Sequence, residues 1–433
     1  MGSLKSFRQR GQKIIGKDIV ATIASYTLGC KVNQYESDTI IRALEQTGFQ
    51  RTGFSFPADI YLINTCALTS RAEQKSRQYI KKALASGSSE VIVTGCYVEK
   101  NLSDLHRLFP RGKFFNNKEK DRILNYILSR RGKERAIETP VAPGKRRTRA
   151  LIKIQDGCRF RCSYCIIPQV RPKFGSRPLP EVIKEAEYFI GRGYKELVIT
   201  GINVGSYRWQ QYRLIDLLES IEQLPGQFRF RLSSIEPGTI SASFIDRLKV
   251  LRRFCPHLHL PLQSGDEKII RKMNRAYTVE EYFNLAEVLK KSIPHIGLTT
   301  DVMVGFPGED RGSFLKTVSF LQRVSFSGLH IFPFSPRPFT VASRFPSPVP
   351  EAEVRVRKEV LKRLDQQLRL KFYSSYVGSS PSVLLEEEKD GYRLGLTGNY
   401  IRVATKGGEP NTFVKVKIRE VGVKYCRGEI INN

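Results

Sequence analysis

The sequence has no apolar run long enough to cross a membrane, and it is poor in acidic residues. A transmembrane helix needs about 20 predominantly apolar residues, and no segment of the 433-residue chain provides them. The basic N-terminus also lacks the apolar segment of a secretory signal, so we expect a cytoplasmic protein with no membrane contact. Asp and Glu number 42 against 72 Lys and Arg, a net charge of +30. This surplus favours a nucleic-acid partner, although a merely basic soluble surface would have the same composition.

Three of the eight cysteines form one short motif. Cys158, Cys162 and Cys165 have the spacing C-x-x-x-C-x-x-C, with Tyr164 before the last one. Structural zinc would need four ligands, and neither a second cysteine pair nor a nearby histidine is present. Three thiolates can instead hold three irons of a 4Fe-4S cluster and leave the fourth open. An open iron is needed for reductive cleavage of S-adenosylmethionine (SAM), and the motif resembles the radical SAM signature.

A second set of three cysteines follows predicted strands in the N-terminal part. Cys30, Cys66 and Cys96 each come directly after an apolar, strand-forming segment. Open α/β sheets bind ligands at the carboxyl ends of their strands, so we expect these three residues to converge. One such cysteine would be interpreted as structural, but three in the same position favour a second 4Fe-4S cluster. Cys255 and Cys426 lack such a pattern and are predicted to be ordinary buried residues.

The alternation of strands and helices predicts an α/β protein with three domains. Residues 19–135 are predicted to form an N-terminal domain with a parallel sheet. A basic linker at 129–149 leads to six βα units within residues 145–373, which predict a partial (β/α)6 barrel. A Pro-rich segment at 335–350 is predicted to be a second linker. Five short strands in residues 376–433 predict a small all-β barrel, a fold often used to bind oligonucleotides.

Two kinds of local feature are also predicted. Lys415, Lys417 and Arg419, with Tyr400 and Phe413, are expected to form a basic face with aromatic contacts on the small barrel. Helices are expected to begin at three capping boxes. These pair Asn33 with Glu36, Ser70 with Glu73, and Thr278 with Glu281.

Polar residues and glycines recur where the strands of the partial barrel end. Functional residues of such barrels lie at the carboxyl ends of the strands, and glycine allows a ligand to approach the backbone. We therefore predict that this set binds the cofactor, although each member alone could equally stabilise a turn. The residues are Gly201, Asn203, Ser233, Glu236, Gln263, Asp301 and Gly305. His257 and His259 alternate along one strand and are predicted to lie in the core or at the rim.

Together these segments resemble the radical SAM methylthiotransferase family, whose small C-terminal barrel is called a TRAM domain. The segments are Thr27–Gln34, Asn64–Ala67, Thr94–Tyr97, Gly157–Pro168, Ser233–Pro237, His259–Asp266 and Thr300–Glu309. The form Leu-Gly-Cys-Lys-Val-Asn-Gln at 28–34 is most similar to the branch acting on N6-threonylcarbamoyladenosine in tRNA. Arg159–Arg161 and Gln169–Phe174 depart from the family pattern, which leaves local substrate contacts open.

The resemblance implies radical methylthiolation of an inert aromatic C–H bond, namely C2 of the modified adenosine beside the anticodon. It implies two 4Fe-4S clusters, SAM, a tRNA anticodon stem-loop and an electron donor such as a flavodoxin or ferredoxin; the sulfur source is not implied. The cluster on Cys158, Cys162 and Cys165 would generate a 5′-deoxyadenosyl radical, and the other would present sulfur. Alternative substrates are isopentenyladenosine in tRNA or a ribosomal protein. A non-catalytic iron–sulfur protein that binds RNA or senses redox state is the alternative of another class.

Overall fold

Two units divide the residues that the structure describes. In the computed structural model, these are residues 20–87, 90–131 and 148–431. The first unit contains the described residues up to 131 together with Gln169–Lys173, and the second contains residues 148–168 and 174–431. Most of the predicted linker at 129–149 lies outside the described residues. The three domain limits drawn from the sequence therefore stay a prediction.

The N-terminal unit is built on five short strands that alternate with helices. Its strands are apolar and rich in β-branched residues, as in Ile60–Thr65, where every residue is buried. Buried parallel strands have this near-continuous apolar character. In chain order, the elements are β1 (Thr22–Thr27), α1 (Lys31–Gln46), β2 (Gln50–Thr52), β3 (Ile60–Thr65), α2 (Ser70–Ala85), β4 (Glu90–Gly95), α3 (Cys96–Leu108), β5 (Lys113–Phe115) and α4 (Arg122–Arg130).

All neighbouring strands of this sheet are parallel, in the order β2-β1-β3-β4-β5. The order reverses between β1 and β3, and ligands of doubly wound sheets bind at such a switch point. Cys30 follows β1 and Cys66 follows β3, so two of the three cysteines flank this point. Cys96 begins α3 directly after β4. The predicted parallel α/β sheet is confirmed.

Two of the three predicted capping boxes are wrong, although helix α2 begins at Ser70 as expected. Helix α1 begins after Cys30, and Asn33 lies inside it, where Asn33 Nδ2 donates to the carbonyl oxygens of Leu28 and Thr65. Helix α2 is capped by Thr69, whose side chain accepts from the amide of Ala72. Thr278 does form the predicted capping box. The buried side chain of Asn33 thus joins two loops by hydrogen bonds. The sequence pattern alone cannot distinguish this role from that of a helix cap.

The second unit begins with a partial barrel made from alternating strands and helices. Its elements, in chain order, are β6 (Arg149–Asp156), α5 (Ile167–Val170), β7 (Gly175–Ser176), α6 (Leu179–Gly191), β8 (Glu196–Gly201), β9 (Arg208–Trp209), β10 (Tyr212–Arg213), α7 (Leu214–Glu222), β11 (Arg229–Leu232), α8 (Ala242–Leu248), β12 (His257–His259), α9 (Glu267–Lys272), α10 (Val279–Ser292), β13 (Gly297–Val304), α11 (Arg311–Val324), β14 (Gly328–Pro333) and α12 (Glu351–Ser374).

Six parallel strands form the wall of this partial barrel, as predicted. Strands β6, β8 and β11 are neighbours in one sheet, and β12, β13 and β14 are neighbours in another. Single parallel bridges, Phe230 to Phe254 and Ser234 to His259, join β11 to the β12 side. Alternate strand residues such as Leu232 and Leu258 are buried in the core beneath the helices. The residues between them lie on the opposite, inner face of the wall.

The predicted second linker, 335–350, is mostly exposed, but three of its residues are buried against the partial barrel. Ala342 is buried, and its amide donates to the carbonyl oxygen of Ser163 at 2.8 Å. Arg337 and Thr340 are also buried. The proline-rich segment follows an irregular path along the barrel. Its backbone groups form hydrogen bonds with neighbouring loops. It therefore supports the segment that carries the first cysteine motif.

A closed five-stranded barrel forms the C-terminal part of the second unit, as predicted. Its strands are β15 (Ser382–Lys389), β16 (Tyr392–Thr397), β17 (Arg402–Thr405), β18 (Phe413–Val421) and β19 (Cys426–Ile431), in the closed order β15-β16-β17-β19-β18. The chain bends at residues 423–424 before the last strand begins at Cys426. Cys255 and Cys426 are both buried, as predicted.

The small barrel docks on the amino ends of the partial-barrel strands through a buried ion network. Glu196 is fully buried and pairs with Arg229 at 2.6 Å and Arg231 at 3.1 Å. The two guanidinium groups then donate to three successive carbonyl oxygens of the small barrel, those of Leu396, Thr397 and Gly398. Burial alone would raise the pKa of Glu196, but the two arginines outweigh it and lower this pKa to about 2.

The ring of Tyr400 packs against the partial barrel, and its predicted part in a basic face that contacts nucleic acid stays a prediction. Its ring stacks on His257 with 4.5 Å between centres, and Arg231 lies over it at 4.8 Å. Arg229 similarly lies over Phe413 at 5.4 Å. Both aromatic residues therefore contact the partial barrel. They were selected from the sequence because docking residues and nucleic-acid contacts share the same aromatic and basic composition.

Candidate active site

The loop with Cys158, Cys162 and Cys165 follows the carboxyl end of β6. Gln155, at the end of that strand, donates from Nε2 to the carbonyl oxygens of Asp156 and Gly157, both at 2.8 Å. Its Oε1 accepts from the amide of Asn203 at 2.8 Å. One buried side chain thus joins the start of the cysteine loop to the end of β8.

The far side of this loop is fixed to the end of α9. The amide of Ser163 donates to the carbonyl oxygen of Met273 at 2.9 Å, and its hydroxyl donates to that of Lys272 at 2.8 Å. Burial raises the pKa of Cys165 to about 12. A free thiol there stays protonated at neutral pH, so binding of a metal requires release of its proton.

Arg275, distant in sequence, is a charged group that contacts this motif. Its Nη1 lies 3.3 Å from Cys162 Sγ and 3.2 Å from the Tyr164 hydroxyl. Its Nη2 pairs with Glu236, and its Nε contacts the Tyr277 hydroxyl at 3.1 Å. The Arg275 side chain is only 3% exposed. The sequence analysis did not identify it, because nothing in local spacing links it to a cysteine 113 positions earlier.

The predicted cofactor-binding residues lie at the carboxyl ends of the strands. Asn203 and Ser233 are buried there, and the side-chain oxygens of Ser233 and Gln263 have no hydrogen-bond partner among the described residues. Gln263 also has a φ of +70°, a strained conformation for a non-glycine residue, and such strain often marks ligand sites. Gly201 ends β8 and lies against the backbone of Gln155. Buried polar atoms without partners fit a polar ligand such as SAM.

Three of the predicted cofactor residues, Glu236, Gly305 and Asp301, are engaged within the protein, and Glu236 pairs with Arg275. Gly305 donates its amide to Glu309 Oε2 at 2.7 Å. Asp301 Oδ1 lies 3.2 Å from His259 Nε2 and 3.5 Å from His330 Nδ1. Burial would raise the pKa of Asp301, but its hydrogen bonds with the two histidines lower it overall. Asp301 is therefore an ionised carboxylate that is already paired with His259 and His330. His259 lies at the rim, as predicted.

The three N-terminal cysteines converge at the carboxyl edge of the first sheet. The pKa of Cys66 is raised to about 12, mainly by burial and in part by the nearby Cys96 and Cys30. Gly29 and Gly95 have φ values of +96° and +105°, and a Cβ at Gly95 would collide with the carbonyl oxygen of Thr65. Only glycine therefore allows the loops after β1 and β4 to pass so close to the loop after β3.

Two buried cations accompany this second cysteine set. Arg171 is 2% exposed and forms a bidentate pair with Glu36, with both bonds at 3.0 Å. Lys120 also pairs with Glu36. Burial raises the pKa of Cys96, whereas Arg171 and Lys120 oppose that rise. Arg171 lies in the 169–174 segment and places a cation beside the thiols.

Both cysteine sets fit iron–sulfur clusters by the chemistry of their donors. Each offers three free thiols, and a hydrogen-bond donor or cation lies beside each set. Cations beside thiolates compensate the negative charge that such clusters carry. Neither set has a fourth protein thiol among the described residues, since the remaining two cysteines lie elsewhere in the second unit. The assignment of individual ligands stays a prediction.

Comparison with known proteins identifies the class to which this fold and these sites belong. Residues 152–321 match the radical SAM superfamily, and residues 22–115 match the family described as "Uncharacterized protein family UPF0004". A radical SAM methyltransferase, TsrM from Kitasatospora setae, has a similar fold. The TM-score is 0.57 at 14% identity, with 75% of this chain and 77% of that chain covered. The protein is thus a radical SAM enzyme.

The curated relatives narrow this class. The chain is 36% identical to threonylcarbamoyladenosine tRNA methylthiotransferase MtaB of Bacillus subtilis, over 95% of this chain and 97% of that protein. It is 32% identical to tRNA-2-methylthio-N(6)-dimethylallyladenosine synthase of Thermodesulfovibrio yellowstonii, over 94% and 98%. The chain belongs to the radical SAM methylthiotransferase family. The predicted cofactors, SAM and 4Fe-4S clusters, are those of this family.

None of the helices in the described part of the chain is long and apolar enough to span a membrane.

Proposed function

We propose that this enzyme methylthiolates C2 of N6-threonylcarbamoyladenosine next to the anticodon of tRNA, giving 2-methylthio-N6-threonylcarbamoyladenosine. The observation that carries the proposal is the 36% identity to a threonylcarbamoyladenosine tRNA methylthiotransferase over 95% of the chain. The reaction needs an external one-electron donor, for which we infer a flavodoxin or ferredoxin. A tRNA substrate further favours the cytoplasm as the site of action.

The second unit would hold the radical-forming site. Cys158, Cys162 and Cys165 would bind a cluster that supplies one electron for cleavage of SAM into a radical able to break an aromatic C–H bond. Gln263 and Ser233 offer the buried polar atoms that bind and orient the cofactor. The packed segment around Ala342 holds the loop in place through Ser163. These residues fix the geometry of the loop before substrate binds.

The first unit would hold the site that presents sulfur. Cys30, Cys66 and Cys96 would bind the second cluster at the sheet's switch point. Lys120 and Arg171, whose guanidinium stays charged, share the single carboxylate of Glu36 in this buried network, and burial lowers the pKa of Lys120. We infer that it stabilises negative charge on the thiolates and on a sulfur ligand beside them.

A basic cleft between α12 and the small barrel supports RNA as the partner. The cleft has a volume of about 590 Å³ and is lined by six basic, three acidic and four tyrosine side chains. Lys389, Arg402 and Lys424 are exposed there. Basic grooves with aromatic side chains bind the phosphates and bases of RNA. We infer that this cleft, and not the buried faces of Tyr400 and Phe413, contacts the tRNA.

Charge reversal tests the cleft. Lys389→Glu, Arg402→Glu and Lys424→Glu together should weaken tRNA binding and reduce its salt dependence, because up to three phosphate contacts are lost. The control carries the same reversals at Lys184, Arg192 and Lys291, which are exposed on the outer helices and loops of the partial barrel. An equal loss in both variants, in filter binding at several salt concentrations, would show that only net charge matters.

Mass spectrometry of tRNA nucleosides tests the whole proposal. A strain without this gene should lack 2-methylthio-N6-threonylcarbamoyladenosine, and the wild-type gene should restore it, whereas a Cys162→Ala allele should not. If the strain instead lacked the 2-methylthio derivative of isopentenyladenosine, this protein would have the activity for which the Thermodesulfovibrio relative is named. An unchanged nucleoside profile would refute a tRNA substrate and favour a ribosomal protein or a non-catalytic role.

A further inference from the structure

A buried arginine contacts the sulfur of the first cysteine motif. Arg275 Nη1 lies 3.3 Å from Cys162 Sγ, within reach of a hydrogen bond to sulfur. The same guanidinium is held from three further directions, by Glu236, by the Tyr277 hydroxyl and by the carbonyl oxygen of Pro261 at 3.2 Å. With 3% of its side chain exposed, it cannot turn to solvent. Its position beside the sulfur is therefore fixed by the fold.

Such a contact has a defined effect on a metal cluster bound by this cysteine. Hydrogen bonds to cluster sulfurs, net charge and solvent exposure set the reduction potential. Reduction adds one negative charge, so a nearby cation stabilises the reduced state more than the oxidised one. The low dielectric of a buried site strengthens this effect. The adjacent Glu236 carboxylate acts in the opposite direction, since it partly neutralises the guanidinium.

We propose that Arg275 is a positioning residue that raises the reduction potential of the cluster on Cys158, Cys162 and Cys165, with Glu236 limiting the size of that rise. The electron comes from the external donor, and Arg275 transfers no proton and forms no covalent bond. This inference rests on the cluster assignment made under the proposed function. It goes beyond that assignment by naming the side chains that determine how readily this enzyme accepts an electron.

The test is a potentiometric titration followed by electron paramagnetic resonance, on full-length protein without SAM. Cys30, Cys66 and Cys96 are replaced by Ala so that one cluster titrates. Arg275→Gln should lower the ratio of reduced to oxidised cluster about tenfold at a fixed potential, a shift of about 59 mV to lower potential for one electron. Glu236→Gln should shift the potential in the opposite direction, because it removes the opposing charge without altering Arg275.

Two further variants separate charge from structure. Arg275→Lys keeps a cation and should retain most of the wild-type potential. Arg271→Gln makes the same change of charge on an exposed side chain of α9 and should have no effect. The inference is overturned if Arg275→Gln and Glu236→Gln both leave the potential unchanged, or if Arg275→Lys shifts it as far as Arg275→Gln. If Arg275→Gln fails to bind iron, Glu236→Gln decides alone.

The two levels of the proposal fail differently. If the background variant with Ala at positions 30, 66 and 96 binds no cluster, the cluster assignment is wrong and this inference falls with it. If it binds a cluster whose reduction potential is unchanged by substitution of Arg275 and Glu236, only the effect of these residues on the potential is refuted.

Discussion

Glu196→Gln should destabilise the second unit strongly. Glu196 has no exposed surface and is the carboxylate that faces both Arg229 and Arg231. Removal of one partner from a buried ion pair costs about 3–5 kcal/mol, because the remaining charge is left uncompensated. The pKa gives a similar magnitude. A change from the ordinary 4.5 to about 2 corresponds to about 3 kcal/mol of stabilisation by the ionised form.

Urea denaturation followed by the fluorescence of Trp209 measures this effect, since the chain has one tryptophan and it lies in the second unit. Glu219→Gln, which breaks the exposed pair with Arg247, is the control and should cost less than about 1 kcal/mol. The pKa of Glu196 is lowered on folding, so its contribution is complete above pH 4.5 and is lost as the pH falls towards 2. The reasoning would be refuted if Glu196→Gln lowered the free energy of unfolding by less than about 1 kcal/mol, or if both variants lowered it equally.

The remaining predictions concern the two cysteine sets and the cation beside one of them. Cys162→Ala should abolish formation of 5′-deoxyadenosine from SAM, measured by liquid chromatography; normal cleavage would refute the assignment of this motif. Cys66→Ala should retain SAM cleavage but lose sulfur insertion into tRNA, and a variant that still methylthiolates would exclude the second site. Arg171→Met should reduce the iron content of the first unit relative to Arg122→Met, which changes an exposed side chain.

The fold could be predicted from the sequence wherever local pattern determines structure. The six strands of the partial barrel agree with prediction because buried strands between amphipathic helices leave a clear periodicity. Cys30, Cys66 and Cys96 were found because each follows a predicted strand, and Cys158, Cys162 and Cys165 because of their spacing. Arg171, Arg275 and Glu196 were missed, since their partners lie far away in sequence and basic residues are common throughout this chain. Asn33 was misassigned because an asparagine side chain is equally suited to cap a helix and to hydrogen-bond two buried loops.

Tyr400 shows a further limit of sequence reasoning. An aromatic residue among lysines and arginines is equally suited to stack on a base or on a buried guanidinium. Only the tertiary structure distinguishes the two, and it places Tyr400 between Arg231 and His257.

The docking of the small barrel on the amino ends of the strands separates it from the Cys158 loop by the height of the partial barrel. A strand of six residues such as β8 is about 20 Å long. A free nucleoside is too short to touch both ends, whereas a folded stem with its loop can do so. Under the proposed function, an RNA bound at the basic cleft would bring its modified base to the loop only if its length and bend matched this separation.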